Sequence, residues 1–449
     1  MAAPLAPMVI ADARRFVEWG GLLVAILVPL AFNPLDANAF EPLKAALFQT
    51  ITLLMILAAL APQVARLRSA VPQASGSSSV GPQANDLRYL FYAAAILLAT
   101  VFSVDVRRSL WTARPTADGT LTLLSGVIFC WLLGQTLTTR RQVLRLTLAL
   151  VIGSVPVTIY GLLQATGLDP LVWISDSVSP VLSTVGRSNY LAAYLVMVMP
   201  FTLALWQSGQ DGQPARRFGL LFALQLTCLL LTLARAAWLG LLIGGLLAGL
   251  ALAQRGGAFA QDSRRRGLWL AGGLAACLVG VGLLYAMSTS ALVQPSAYGM
   301  RPVVYAKLRA DSAAARLIFW RVSLRLLDGR WLLGYGPGTF GSLVATVQPA
   351  ELTAAGPAAS LLDDPHNLLL DRLLQTGMVG LLAYLALLLT TARRWLLAWR
   401  GSADRQALFI LAATLAAMTA FLVQAQATPN VVTTDALFWV MMALAAGAT

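Results

Sequence analysis

The sequence predicts an all-α polytopic membrane protein, and three observations lead to this fold class. Hydrophobic residues make up 58% of the 449-residue chain, whereas charged residues make up only 11%. The mean hydropathy is +0.73, which is too apolar for a soluble globular protein. Apolar runs of roughly 17–25 residues, the length that crosses a bilayer as a helix, recur along the chain. We therefore expect most of the chain to lie in a membrane as helices.

About twelve transmembrane spans can be placed on these apolar runs. The boundaries are least defined between residues 218 and 254, where the only polar break is "TLARAAWLG". The predicted spans are residues 17–35, 43–62, 88–103, 119–138, 143–165, 189–207, 218–234, 236–254, 268–289, 375–395, 406–426 and 431–448.

One long segment between spans 9 and 10 departs from the pattern of helices and short loops. Within it, "AARLIFWRVSLRLLDG" places Leu317, Trp320, Leu324 and Leu327 on one helical face. This spacing predicts an amphipathic helix that lies along the outer membrane surface. The chain is thus predicted to consist of spans 1–9 in residues 1–289, a large external loop in residues 290–374, and spans 10–12 in residues 375–449.

The distribution of charge predicts the orientation, because basic loops are retained on the cytoplasmic side. The side that holds the N-terminus and the loops after even-numbered spans carries 18 of the 32 basic residues and six of the 19 acidic ones. An even number of spans then puts both termini in the cytoplasm. The net charge of +13 follows from this topology, so it does not indicate a nucleic-acid partner.

Arg235 is isolated in "LLLTLARAAWLGLLIGG", between two apolar runs. An arginine at such a depth is costly, and it commonly faces an anionic partner or a water-filled cavity. The alternative is that a turn between spans reaches the outer headgroups and Arg235 extends its side chain to them. The residues alone leave both interpretations open.

Three further arginines lie in the predicted external parts of the chain. Arg187 and Asn189 belong to the polar stretch "VLSTVGRSNY" before a span, which can cap a helix or bind a sugar or phosphate headgroup. Arg316 and Arg321 belong to the predicted external helix. From the pattern alone, these two arginines are solvated or face lipid headgroups.

The stretch "LLDDPHNLLLDRLLQTG" contains His366, which is the only histidine of the chain. Asp364 is predicted to cap a helix with Pro365 at its first position, so that His366 and Asn367 lie in the first turn. A lone histidine is commonly structural. However, an imidazole at the outer surface, near isolated arginines, is well placed to act as a general base beside an anionic leaving group. Asp363 and Asp364 either tune the imidazole or only begin the helix.

The motifs that carry these residues also resemble a known family. "GRSNYLAAYLVMVMP", "LTLARAAWLG", "RLIFWRVSLRLLDGRWLLGYGPGTF" and "DDPHNLLLDRLLQTGMVGLLAYL" resemble, in order and spacing, the O-antigen ligase and O-antigen polymerase superfamily of bacterial envelope proteins. "FEPLKAALF", "FSVDVRRSLW" and "YGLLQATGLDPLVW" are similar to its N-terminal half, so the resemblance covers nearly the whole chain. It implies an architecture like that of C-type glycosyltransferases.

The activity that the resemblance implies is transfer of a glycan from undecaprenyl diphosphate to an acceptor hydroxyl. The reaction takes place at the outer, periplasmic face of the bacterial plasma membrane, among membrane lipids, and uses neither a metal nor another cofactor. His366 matches the family's essential histidine, Arg235 its arginine at a span end, and Arg316 the arginine of its external loop, with Arg321 as the second choice for that position. Guanidinium groups can neutralise the departing diphosphate, while His366 takes the proton of the attacking hydroxyl.

The resemblance is less complete in the asparagine-bearing motif. This chain has "GRSN" where many relatives have G-N-x-N, so Asn189 is kept and Arg187 replaces the first asparagine. Arg187, Asn189, Arg321 and Asn367 are predicted as substrate-binding residues, and Arg235, Arg316 and His366 as catalytic ones.

Members of the superfamily differ in the acceptor. It is lipid A core for a ligase, the end of a second lipid-linked glycan for a polymerase, and a protein Ser or Thr for an O-oligosaccharyltransferase. The arginine and histidine motifs favour a ligase, with a polymerase as the alternative. A polyisoprenoid or sugar transporter is a hypothesis of another class. A transporter is expected to have related halves and does not need a long external loop that bears the only histidine.

Overall fold

The computed structural model describes residues 5–36, 38–68, 86–111, 119–166, 168–169, 171, 181–208, 213–255, 312–347 and 364–447. Within these ranges the regular secondary structure consists of fourteen α-helices and one short 3-10 turn, Ser183–Val185. The helices are α1 Leu5–Leu30, α2 Glu41–Arg68, α3 Leu87–Val101, α4 Val106–Trp111, α5 Thr120–Thr136, α6 Arg140–Ala165, α7 Ser188–Ser208, α8 Gln213–Leu231, α9 Arg235–Ala253, α10 Ser312–Leu326, α11 Phe340–Val347, α12 Leu368–Gly401, α13 Arg405–Gln424 and α14 Val432–Gly447.

These helices confirm an all-helical membrane protein for the described part of the chain. Each predicted span except residues 268–289, which lie outside the described residues, falls on an observed helix. By length and composition, six segments of the described chain are able to cross a membrane: Glu41–Pro62 of α2, and α6, α7, α9, α12 and α13. Helices α3, α5 and α14 are apolar but shorter. The total of twelve spans stays a prediction.

The helices α7 and α14 form the centre of the bundle. Most residues of α7 and nearly all residues of α14 are buried, as expected for helices that are apolar on all sides and surrounded by others. Phe421 of α13 stacks on Phe438 of α14 at a centroid distance of 4.5 Å. Peripheral helices instead expose large apolar side chains, such as Leu246 of α9 and Leu389 of α12, which suits a surface in contact with lipid.

Helix α9 packs closely against α13, and two glycines determine the register. A Cβ atom at Gly240 would lie 2.5 Å from the carbonyl oxygen of Ala420, and one at Gly244 would lie 2.3 Å from that of Ala416. Small residues four positions apart allow helix backbones to approach in this way. The pairing shows that the two helices are antiparallel, since the partner number falls as the α9 number rises. Continued by five residues toward the start of α9, the same register puts Arg235 level with Ala425.

Helix α12 is broken at Gly377, where the backbone is non-helical with φ of 66° and ψ of −171°. The turn that precedes α11 fits into this break. The backbone N–H of Tyr335 donates to the carbonyl of Leu374 at 2.8 Å, and a Cβ atom at Gly377 would lie 2.1 Å from the carbonyl oxygen of Leu332. The break separates a short buried segment, residues 368–376, from a long segment, residues 378–401.

The external helix α10 has apolar side chains on two sides, and the placement of its predicted apolar face along the membrane stays a prediction. Leu317 and Leu324 of α10 are each 57% exposed, whereas Val322 is 3% exposed. Val322 packs in one cluster with Phe340 of α11 and Leu374 of α12. Apolar side chains occur on several sides of α10, because one side packs against α11 and α12 and another is exposed on the surface of the protein. Spacing alone does not distinguish these two sides.

Candidate active site

His366 lies just before α12, not in its first turn. The helix begins at Leu368, and Asn367 is the N-cap, since its side-chain oxygen accepts a hydrogen bond from the backbone N–H of Leu370 at 3.0 Å. The prediction that Asp364 caps the helix is therefore wrong. Asp364 instead accepts a hydrogen bond from the backbone N–H of His366, as an aspartate does in a local turn. His366 has φ of 56°, so the chain reverses there before the helix starts. Asp363 lies outside the described residues.

The imidazole of His366 is held by its Nδ1 atom, which lies 2.8 Å from the backbone carbonyl oxygen of Asp364. A carbonyl oxygen can only accept a hydrogen bond, so in the neutral ring this contact assigns the proton to Nδ1 and the lone pair to Nε2. The ring also packs on Phe319 of α10, with centroids 5.5 Å apart. The side chain keeps 24% of its surface exposed. The geometry suits a base whose reactive nitrogen is Nε2.

Arg316 is brought to this region by α10. It lies three residues before Phe319, so the two side chains share a face of the helix, and Phe319 is the residue that contacts His366. The pKa of Arg316 is lowered from its ordinary value, mainly because burial removes water from the guanidinium and also because the positive charge of Arg235 is close. Arg235 and Arg316 therefore lie near each other, although they are far apart in sequence.

Arg235 reaches this space from a tight break between two helices. Helix α8 ends at Leu231 and α9 begins at Arg235 itself, after Leu233 has turned with φ of 57°. The register of α9 on α13 puts Arg235 level with Ala425, and the carbonyl of Ala425 accepts a hydrogen bond from the N–H of Leu368 at 2.9 Å. The three predicted catalytic residues thus lie at one end of the bundle, which we call the His366 end.

Arg321 points elsewhere than Arg316. It follows Arg316 by five residues, about 140° around the helix, and its side chain is exposed. The structure therefore separates the two candidates for the loop arginine and brings Arg316, but not Arg321, onto the face that meets His366.

Arg187 and Asn189 lie at the His366 end without a described contact to His366 itself. The N–H of Val432 donates to Glu41 at 2.9 Å, which puts the start of α2 beside the start of α14. Lys44 of α2 then donates to the carbonyl of Thr184 at 2.8 Å, just before α7. The contact described for Arg187 is with Tyr190, whose ring centroid is 5.8 Å from the guanidinium carbon.

A buried polar network next to His366 was missed in the sequence. Arg372, in the short segment of α12, lies 3.8 Å from a carboxylate oxygen of Asp371 and 3.7 Å from one of Asp435 in α14. The amide of Gln375 donates to both carboxylate oxygens of Asp371, at 2.8 Å and 2.9 Å, and Asn430 donates to Asp435 at 3.0 Å. The available signal was Asp435, an acidic residue inside a predicted span, where charge is costly.

Comparison with known proteins gives one family. A family model described as O-antigen ligase matches residues 220–385. The matched range runs from α8 into the long segment of α12, and it contains Arg235, Arg316, Arg321, His366 and Asn367 but neither Arg187 nor Asn189. No curated protein matches the chain significantly.

Proposed function

We propose that this chain, a member of the O-antigen ligase superfamily, transfers a glycan from undecaprenyl diphosphate to an acceptor hydroxyl. The family match supports membrane-bound glycosyl transfer in the assembly of O-antigen or related glycans. The finer parts of the proposal are the lipid diphosphate donor, an active site on the periplasmic face of the bacterial inner membrane, and both termini in the cytoplasm.

The observation that carries the proposal is the meeting of Arg235 and Arg316 beside His366. Burial and the nearby positive charge of Arg235 lower the pKa of Arg316, so a partner with more than one negative charge would suit this pair of guanidinium groups. A diphosphate is such a partner, and arginine binds phosphate oxygens through two parallel hydrogen bonds. His366 supplies the other group that the transfer needs, a base with its lone pair on Nε2.

In the proposed mechanism the acceptor oxygen attacks the anomeric carbon from the side opposite the diphosphate, so the configuration inverts. The bond between the anomeric carbon and the diphosphate oxygen breaks, and its electron pair remains on the diphosphate. Arg235 and Arg316 stabilise the charge that develops there. Nε2 of His366 takes the proton of the hydroxyl, while the hydrogen bond from Nδ1 to the carbonyl of Asp364 keeps the ring oriented as it becomes positive.

The acceptor distinguishes the members of the superfamily, and we propose the ligase form, with lipid A core as acceptor. The reason is the similarity of the arginine and histidine motifs to the ligase pattern. An O-antigen polymerase is the second candidate, and a protein O-oligosaccharyltransferase is a lesser one. The matched domain at residues 220–385 favours all three over a transporter.

The test is a transfer reaction with purified protein, an undecaprenyl-diphosphate glycan, and three acceptors in separate reactions: lipid A core, a second lipid-linked glycan, and a serine-containing peptide. Release of undecaprenyl diphosphate and glycosylation of the acceptor are both measured. His366→Ala is expected to slow release by about 10²–10⁴-fold, with His366→Gln as the variant of similar shape. The proposal fails if no acceptor causes release by the wild type, or if His366→Ala matches it.

A further inference from the structure

A cluster of arginines lines a cavity at the opposite end of the bundle from His366. Arg394 follows the break at Gly377 by seventeen residues, about 25 Å along the helix. The cavity has a volume of about 540 Å³ and lies where α3 begins, where α5 and α14 end, and where the long segment of α12 approaches its end. Its polar lining consists of Arg88, Gln135, Thr138, Thr390, Arg393 and Arg394. We call this cavity the basic-end cavity.

Arg88 is held in place at this cavity. Its guanidinium carbon lies 4.8 Å from the ring centroid of Tyr89, and its Nη2 donates to the Tyr89 hydroxyl at 3.4 Å. Within the part of the chain that the structure describes, the Nε atom of Arg88 is buried and has no hydrogen-bond partner. A buried donor without a partner is costly, so a ligand that offers a hydrogen-bond acceptor to this atom would be stabilised.

The charge of the cavity is strongly positive. Asp86 is the acidic residue nearest along the chain to Arg88, and its carboxylate accepts a hydrogen bond from Gln135 at 2.9 Å. One carboxylate beside three arginines leaves the surroundings of the cavity with a positive charge. Gln135, Thr138 and Thr390 add groups that are able to donate hydrogen bonds to an anion.

A neighbouring depression provides a contrast. It is lined by arginines of α1 and α6, among them Arg140 and Arg145. There Arg145 pairs with Glu18 at 2.8 Å and Arg140 with Asp404 at 3.2 Å. Acidic residues of the chain therefore already neutralise two of the arginines in the depression. Among the described residues, Arg88, Arg393 and Arg394 form no such ion pair with an acidic side chain, so their charge remains available to an external anion.

We propose that the basic-end cavity binds a phosphate-bearing anion, and that its principal ligand is the headgroup of an anionic phospholipid. The charge distribution predicts that this end faces the cytoplasm, where anionic lipids attract basic pockets between transmembrane helices. Leu397, which is 55% exposed, lines the same cavity and offers an apolar surface beside the headgroup site. This site is separate from the proposed transfer reaction and does not depend on it.

Native mass spectrometry of the full-length protein in a neutral detergent tests the proposal. The probes are cardiolipin, phosphatidylcholine and inorganic pyrophosphate, each added separately. The double variant Arg88→Gln/Arg394→Gln is compared with Arg14→Gln/Arg15→Gln, which removes the same charge from the neighbouring depression. We expect the first variant to lose cardiolipin affinity by about thirtyfold, and the control to lose less than about threefold. Phosphatidylcholine binding is expected to be equal in all three proteins.

The outcomes separate the sources of the anion. Binding of pyrophosphate that depends on Arg88 and Arg394, without matching binding of cardiolipin, overturns the lipid as the ligand and leaves a soluble phosphate. Equal binding of both probes by the wild type and the first variant overturns the site. Because Arg88 is partly buried, the single variant Arg393→Gln, at an exposed position, serves as a second test. It is expected to weaken cardiolipin binding about fivefold without change in the melting temperature.

Discussion

Two sets of arginines, Arg372 alone and Arg316 with Arg235, lie near His366, and they differ in the charge of their neighbours. Arg372 is 1% exposed, and its neighbours are the carboxylates of Asp371 and Asp435. Arg316 keeps part of its surface exposed, and a second cation, Arg235, acts on it. The comparison teaches that the chain neutralises the arginine that holds the fold together. At Arg316, by contrast, it brings a second positive charge, that of Arg235, near enough to lower the pKa.

Arg372→Met is the change with the largest expected effect on this comparison. It leaves Asp371 and Asp435 buried without their cation, so the free energy of unfolding is expected to fall by about 3–5 kcal/mol. Unfolding in detergent, followed by tryptophan fluorescence, measures the loss. The matched control is Asp371→Asn/Arg372→Met/Asp435→Asn, which removes all three charges and is expected to restore much of the stability. If Arg372→Met unfolds like the wild type, the network is not a structural one.

Arg316→Gln and Arg235→Gln test the other side of the comparison. Each variant removes a group that stabilises the departing diphosphate, so the rate of glycan transfer is expected to fall by about 10²–10³-fold. The melting temperature is expected to stay near that of the wild type, because Arg235 is exposed and Arg316 is only partly buried. Transfer and melting are measured on the same preparations. Loss of stability with normal transfer would give these arginines the role that we assign to Arg372.

Asn367→Ala has a smaller expected effect, since it removes the N-cap of α12. The cap accepts the N–H of Leu370 at 3.0 Å, and loss of such a cap costs about 1 kcal/mol of stability. Asn367→Asp keeps an acceptor at the same place and is expected to unfold like the wild type. If Asn367→Asp keeps its stability but loses transfer, Asn367 binds substrate through its amide in addition to capping the helix.

Arg321→Ala is expected to have the smallest effect. The side chain is exposed on a different side of α10 from Arg316, so transfer is expected to stay within about twofold and stability within about 0.5 kcal/mol. The same transfer and unfolding measurements apply. A loss as large as that of Arg316→Gln would show that the wrong arginine of α10 was assigned to the diphosphate.

The start of α12 shows what could and could not be predicted from the sequence. That a helix begins close to His366 was correct, because a cap residue and a proline precede an apolar run. The predicted first residue of the helix was wrong, since aspartate at 364 and asparagine at 367 are both residue types that cap helices well. The choice between them is fixed by a contact from outside the segment, the hydrogen bond from Leu368 to Ala425.

Arg235 and Arg372 show which buried or isolated charges can be recognised from the sequence and which cannot. Arg235 could be singled out because it is the only charge between two apolar runs, and the structure places it at the break between α8 and α9. Arg372 was missed because the predicted external loop, residues 290–374, contained it. A charged residue in a loop is common and therefore does not indicate a buried site. The partner of Arg372, Asp435, lies more than sixty residues further along the chain. Pairing across such a distance depends on packing that spacing does not reveal.

The break at Gly377 has a mechanical consequence. A membrane helix adapts to thicker or thinner bilayers by changing its tilt. In an unbroken α12 such a change would carry the base along with the helix. The interruption at Gly377 does not release the short segment from this motion, because the turn before α11 is bonded to both sides of the break: the N–H of Tyr335 donates to the carbonyl of Leu374, and the N–H of Met378 donates to the carbonyl of Trp331 at 2.8 Å. A change in the thickness of the membrane is therefore expected to act, through this turn, on the short segment that follows His366.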